Sequence, residues 1–181
     1  LPRTTPAGHK YPRLVHFIGM GNNPKADVSV HTFVSVVSAM HRIRPHRVLF
    51  HTMKGFTGPR WDTIRRLSTV VKGRPPLSFN SGPKKPFHLL AHFSDAWRLD
   101  TLIRHGGIYL DWDVLTLRSF DPLLFCQAPT VLGLEKRVKG YRVVSSLAVM
   151  VAPPQAAFLR RYVFEAGHKF DPECYTCHNV L

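Results

Sequence analysis

Apolar residues recur along this chain in two rhythms, short near-continuous runs and a three-to-four-residue spacing, and the two rhythms alternate. Residues 13–19 (RLVHFIG) form such a run and predict a buried strand, closed by a Gly/Asn/Pro turn. Over 27–43, Val30, Phe33, Val34, Val37 and Met40 return at helical spacing, with Asp27 placed to cap the helix. Residues 47–52 (RVLFHT) predict a second strand. Pro59 opens a helix whose Trp61, Ile64, Leu67 and Val71 share a face, and 76–80 (PLSFN) predicts a short third strand. A longer helix is expected over 87–104, with Leu89, Phe93, Ala96, Leu99, Leu102 and Ile103 as its stripe and Gly106 and Gly107 as its stop. The run IYLDWDV then predicts a fourth strand, with Asp121–Pro122 a turn beyond it. TVLGLE and VVSSLAVMVA predict further strands, and a helix follows Pro154.

Alternation of strand and helix predicts an α/β domain, a mostly parallel sheet flanked by helices. The 181 residues suit a single domain, 1–181, with enough chain to bury a core. In such sheets ligands bind beyond the carboxyl ends of the strands. Asp111 and Asp113 stand where the fourth strand runs out. Two residues apart on an extended strand, they are expected on one face, where their charges repel unless a cation, a proton or an arginine lies between them.

Charge narrows the partners. The chain carries 25 Lys and Arg against 11 Asp and Glu, a net charge of +14. The basic residues are dispersed and form no interleaved basic–aromatic motif, so no nucleic-acid partner is expected; nucleotide phosphates or acidic headgroups suit the charge. Three cysteines make no disulfide framework. CYTCH, residues 174–178, matches the spacing of a haem attachment sequence; coincidence is the plainer reading, and a short disulfide or pairing with cysteines outside this stretch comes next. Mg²⁺ and Mn²⁺ take oxygen ligands, commonly one or two carboxylates completed by phosphates and water. A D-x-D at a strand end meets that need; an exposed pair in a turn is the plainer reading of the two aspartates alone.

The context of the pair decides between these. The segment FSDAWRLDTLIRHGGIYLDWDVLTLRSFDPLL contains Ser94-Asp95-x-x-Arg98 followed by Gly106-Gly107-Ile108-Tyr109-Leu110-Asp111-x-Asp113. It resembles the DXD-containing glycosyltransferases of family 32, the group that includes α-1,4-galactosyltransferases and α-1,4-N-acetylglucosaminyltransferases; YPRLVHFIG resembles the opening strand of the same family. The resemblance implies a GT-A type, Rossmann-like domain that takes a UDP-sugar donor with Mn²⁺ (or Mg²⁺) and transfers a hexose or N-acetylhexosamine, with retention, to a glycan, glycolipid or protein acceptor. Asp113 would ligate the metal and Asp111 would contact the metal, its water, the ribose or the sugar. Asp95 and Arg98 would hold the donor sugar and its phosphate side, and His16, Phe17, Ile18, Tyr109 and Trp112 would line the nucleotide. By the same analogy the chain is a Golgi lumenal domain, with a membrane anchor outside this stretch and a carboxy-terminal segment missing after Leu181. A non-catalytic basic glycan- or lipid-binding module and an effector-type protein glucosyltransferase are the alternatives on the same fold.

Overall fold

The computed structural model describes residues 11–20, 23, 25–126, 128–135 and 144–174. The run at 13–19 becomes β1 (Leu14–Gly19), and α1 (Val30–Ile43) leads into β2 (Arg47–Thr52). Next come α2 (Pro59–Leu67), β3 (Thr69–Lys72) and the long α3 (Leu90–His105). The chain closes with β4 (Gly107–Leu110), α4 (Asp121–Phe125), β5 (Val131–Glu135), β6 (Val144–Ala152) and α5 (Ala157–Lys169). Among the described residues these strands form one sheet in the order β3-β2-β1-β4-β6-β5. The β1–β2, β2–β3 and β1–β4 pairs are parallel; β6 alone runs against the rest. This is the mostly parallel α/β sheet expected. No helix among the described residues is long and apolar enough to cross a membrane.

Side chains alternate across the sheet as its pleat requires. Val15, Phe17, Phe50 and Ile108 pack with α1 and α2 on one face, while Ile18, Tyr109 and Met150 pack with α3 and α5 on the other.

Five expectations are corrected. Val71 does not continue the second helix: Thr69–Lys72 is β-branched at its centre and pairs with the otherwise open edge of β2, Leu49 to Thr69 through Thr52 to Lys72. Residues 76–80 form no strand, because Pro75 and Pro76 lack the N–H groups a ladder needs; Phe79 instead joins an edge-to-face cluster with Phe87 and Phe170. Asp121–Pro122 opens the short helix α4 rather than a turn, with Pro in its first turn.

Asp27 does not cap α1; Ser29 does, accepting from Thr32 N at 3.1 Å. The carboxylate of Asp27 reaches across to α2, accepting from Trp61 N (2.9 Å) and Arg60 N (3.3 Å). The residue before that helix is Gly58, which has no side chain to do so; a Cβ there would lie 2.6 Å from the Asp27 carboxyl carbon. Burial acts against the charge on Asp27, but these backbone donors outweigh it and hold the carboxyl below its usual range. The apolar stripe of α1 is also rotated. Thr32, Ser35, Val36, Ala39 and Ile43 face inward, while Val30, Val34 and Val37 are exposed.

Beneath the sheet's carboxyl edge His16 and His51 form a buried pair. The Nε2–H of His16 donates to the Gly106 carbonyl (3.0 Å), so its Nδ1 must accept from His51 Nε2 (3.1 Å). His16 is therefore neutral, and burial favours the neutral form of His51 as well. Burial and, for His16, the neighbouring His51 lower their pKa values from 6.5 to about 3 and about 4. The unfolded chain thus binds more protons than the native one between about pH 6.5 and 4, and stability falls as pH falls through that window. Each ring contributes a slope of up to about 1.4 kcal/mol per pH unit. Urea unfolding midpoints should drop steadily from pH 7 to 5 and drop less steeply in His51→Gln; a flat profile in the wild-type chain would contradict the neutral pair.

Candidate active site

The site begins at a junction without a loop. α3 ends at His105, Gly106 donates its N–H to Leu102 O at 2.8 Å, and β4 starts at the next residue. Both glycines have positive φ, 63° and 105°. Neither position has room for a side chain: a Cβ on Gly106 would meet Pro154 N at 2.5 Å, and one on Gly107 would meet Leu14 O at 2.7 Å. The chain therefore doubles back on itself. Arg98 lies about 10 Å down the helix from this junction, and Asp111 about 13 Å up the strand, so the two come level.

They meet directly. Arg98 Nη2 stands 3.1 Å from Asp111 Oδ1 and 3.2 Å from Asp95 Oδ1, and donates to Ser94 Oγ at 3.1 Å. Its Nη1 donates to the Leu147 carbonyl (3.1 Å) and approaches Asp111 Oδ2 (3.4 Å). The guanidinium lies over the Tyr109 ring, 4.8 Å from its centroid, and the Tyr109 hydroxyl donates to Asp111 Oδ1 at 2.6 Å. Arg98 is 8% exposed, yet its charge persists. Burial works to lower its pKa, and Tyr109, Asp95 and Asp111 together raise it above the ordinary arginine value. Burial also pushes the Tyr109 hydroxyl well up, so it remains a donor.

Asp111 itself is held from three sides, its backbone N–H donating to Ala148 O at 2.8 Å, and its side chain keeps 25% exposure at the carboxyl edge of the sheet. Its pKa is raised: burial leads, Asp113 and Asp95 add to it, and Arg98 with the Tyr109 hydrogen bond opposes. A single guanidinium thus faces more carboxylate charge than it neutralises. The strand stops at Leu110, and residues 111–114 form a turn closed by Val114 N–H to Asp111 O at 3.1 Å. Trp112 and Asp113 are exposed on it. Asp111 and Asp113 are consequently brought together by a turn and not, as expected, by the pleat of a strand.

Beside this edge opens a cavity of about 600 Å³ over the carboxyl ends of β1, β2 and β3. Met20, Met53 and Phe93 give it apolar walls, and Lys54, Lys72 and Arg74 give it a basic rim.

Residues 36–128 match the family described as "Glycosyltransferase sugar-binding region containing DXD motif". The chain belongs to that family. Over 186 aligned residues, 96% of this chain and 49% of the relative, the chain is 31% identical to the Glucan organizing enzyme 1 of Cryptococcus neoformans var. grubii. It is 32% identical over 89 residues to an uncharacterized protein of Arabidopsis thaliana, covering 49% of this chain and 13% of that one. The chain therefore spans about half the length of the first curated relative and a smaller share of the second. Among solved structures, PaToxG Glycosyltransferase superposes with a TM-score of 0.55 at 14% identity, covering 86% of this chain and 60% of that one, and shares its fold. The domain is a GT-A type glycosyltransferase fold.

Within this domain the residues expected at the site fall into two groups. Asp95, Arg98, Tyr109 and Asp111 form one contact network, with Trp112 and Asp113 exposed on the adjoining turn. His16, Phe17 and Ile18 are buried below it, and Phe17 points to the opposite face of the sheet, among Phe50 and its neighbours. The Tyr109 ring is covered by Arg98 and has no open face on which a base could stack. Lys54, Lys72 and Arg74 escaped the sequence reading; treating Thr69–Lys72 as a strand would have placed Lys72 and Arg74 at the ligand edge. Cys174 is disulfide-bonded, which a thioether to haem would preclude; Cys177 and His178 lie outside the described residues.

Two carboxylates fit the donor set of a hard divalent cation. Among the described residues no cluster of three His, Cys, Asp or Glu side chains could hold a metal, so this pair would leave coordination positions to phosphate and water. Replacing Arg98 by Met should destabilise the fold by about 3–5 kcal/mol in chemical denaturation, because Asp95 and Asp111 would lose their buried counter-charge.

Proposed function

We propose that the domain transfers a hexose or N-acetylhexosamine from a UDP-sugar to a glycan, glycolipid or protein acceptor, with Mn²⁺ or Mg²⁺ as cofactor. The observation that carries this reading is the fixed Asp111 carboxylate, buried on its Arg98 and Tyr109 side and open on the other, next to Asp113 at the sheet's ligand edge. Asp113 and Asp111 would hold the cation, which would stabilise charge on the departing diphosphate. The nucleoside would lie in the basic-rimmed cavity, where Lys54, Lys72 and Arg74 suit phosphate oxygens. Asp95 and Arg98 would act from below, fixing the carboxylate and the donor side of the site. The family resemblance favours retention. The acceptor hydroxyl would then attack the anomeric carbon from the face the diphosphate leaves, its proton passing to a departing phosphate oxygen. The disulfide at Cys174 suits an oxidising compartment, in keeping with a Golgi lumenal setting.

Calorimetric titration of UDP with and without Mn²⁺ tests the reading. Mn²⁺ should tighten binding, and that gain should be lost in Asp113→Asn while the weaker metal-free binding remains; wild-type binding indifferent to Mn²⁺ would defeat it. Because the Asp111 pKa is raised above 3.8, metal-dependent binding should weaken on acidification before an ordinary aspartate titrates. Alanine at Lys72 or Arg74 should weaken UDP about tenfold whether or not Mn²⁺ is present, the loss of roughly one charge-assisted hydrogen bond.

A further inference from the structure

Helix α1 turns a polar edge toward the interior at some cost. Its inward face includes Ser35, 1% exposed, while Val30, Val34 and Val37 are left in solvent. Serine is an ordinary helix former at best, and burying a hydroxyl requires partners for it. The partners are on the D-x-D turn. Ser35 Oγ–H points between the carbonyl oxygens of Val114 (2.7 Å) and Asp111 (3.2 Å), the nearer taking the larger share. One helical turn on, Ser38 Oγ accepts from Thr116 N–H (3.0 Å) and donates back to Ser35 O (2.9 Å). Between them the two hydroxyls engage backbone groups at both ends of the turn, from the side opposite Arg98 and Tyr109.

We propose that Ser35 and Ser38 are positioning residues that set the D-x-D turn for metal binding. The Asp111 side chain is fixed by Arg98 and Tyr109, whereas Asp113 is exposed and depends on the backbone conformation of residues 111–116 for its placement. A buried loop carbonyl needs a donor. Without Ser35 the Val114 carbonyl has no donor from α1, and the turn can shift to find another. Removing a group that orients a metal ligand commonly costs about 10–100-fold in metal affinity. The rotation of α1 serves this purpose: the helix gives up burial of three valines to present two hydroxyls at the required spacing. The inference rests on the proposed metal-and-diphosphate role of Asp111 and Asp113.

Hydrogen–deuterium exchange on the metal-free chain, read on the peptide covering residues 107–118, compares wild type with Ser35→Ala and Ser38→Ala. Alanine is the better helix former, so α1 itself should not weaken. The amides of the turn should exchange about tenfold faster in both variants while those of β4 keep wild-type protection. In parallel, Mn²⁺-dependent UDP binding should weaken about tenfold with metal-free binding unchanged. Turn amides that exchange at wild-type rates would overturn the proposal. So would acceleration spread evenly over β4 and the turn, or equal loss of binding with and without metal, since either marks a merely structural role. A wild-type chain that binds UDP identically without Mn²⁺ would sink the metal-site reading itself, and the positioning role with it.

Discussion

A guanidinium shut away from water inside a protein is tolerable only where carboxylates and carbonyls surround it, and Arg98 has gathered such a set from three separate elements. Asp95 and Ser94 come from its own helix, Asp111 from the end of β4, and the Leu147 carbonyl from β6. The cluster therefore binds α3 to the sheet and, in the same contacts, dictates where the first aspartate of the D-x-D stands. Remove the charge and both the packing and the site lose their reference point. The remaining polar architecture is arranged around it: Tyr109 beneath, the serines of α1 behind the turn, and the basic cavity alongside.

Much of this was readable before any coordinates. The strands β1, β2, β4 and β6 are short apolar runs buried on both faces, and such runs announce themselves. The double glycine after a helical stripe marked where α3 ends. The spacing from Asp95 to Asp113 carried the family resemblance, and residues 36–128 match the family. Other parts were hidden for physical reasons. β3 follows α2 so closely that Val71 continues the helical spacing of Trp61, Ile64 and Leu67; only the free edge of β2 reveals it as a strand. The inward face of α1 is hidden from hydrophobic spacing because the helix turns serines inward, toward loop carbonyls. The convergence of Asp111 and Asp113 was anticipated for the wrong geometric reason, since the pair is presented by a turn. The strand residues His16, Phe17 and Ile18 belong to the core and its buried histidine pair, a placement that apolar patterning alone does not separate from a pocket wall.

The loop-free passage through Gly106 and Gly107 makes the segment from Asp95 to Asp111 behave as a ruler. One residue inserted into α3 would swing Arg98 about 100° around the helix, and one inserted into β4 would send Asp111 to the other side of the sheet. Substitutions around these points leave the ruler's length alone and can be absorbed one at a time. Changes of side chain and changes of chain length are therefore not equivalent in this segment: the first alters one contact, the second moves Arg98 and Asp111 out of register together. What the site demands most strictly here is a count of residues.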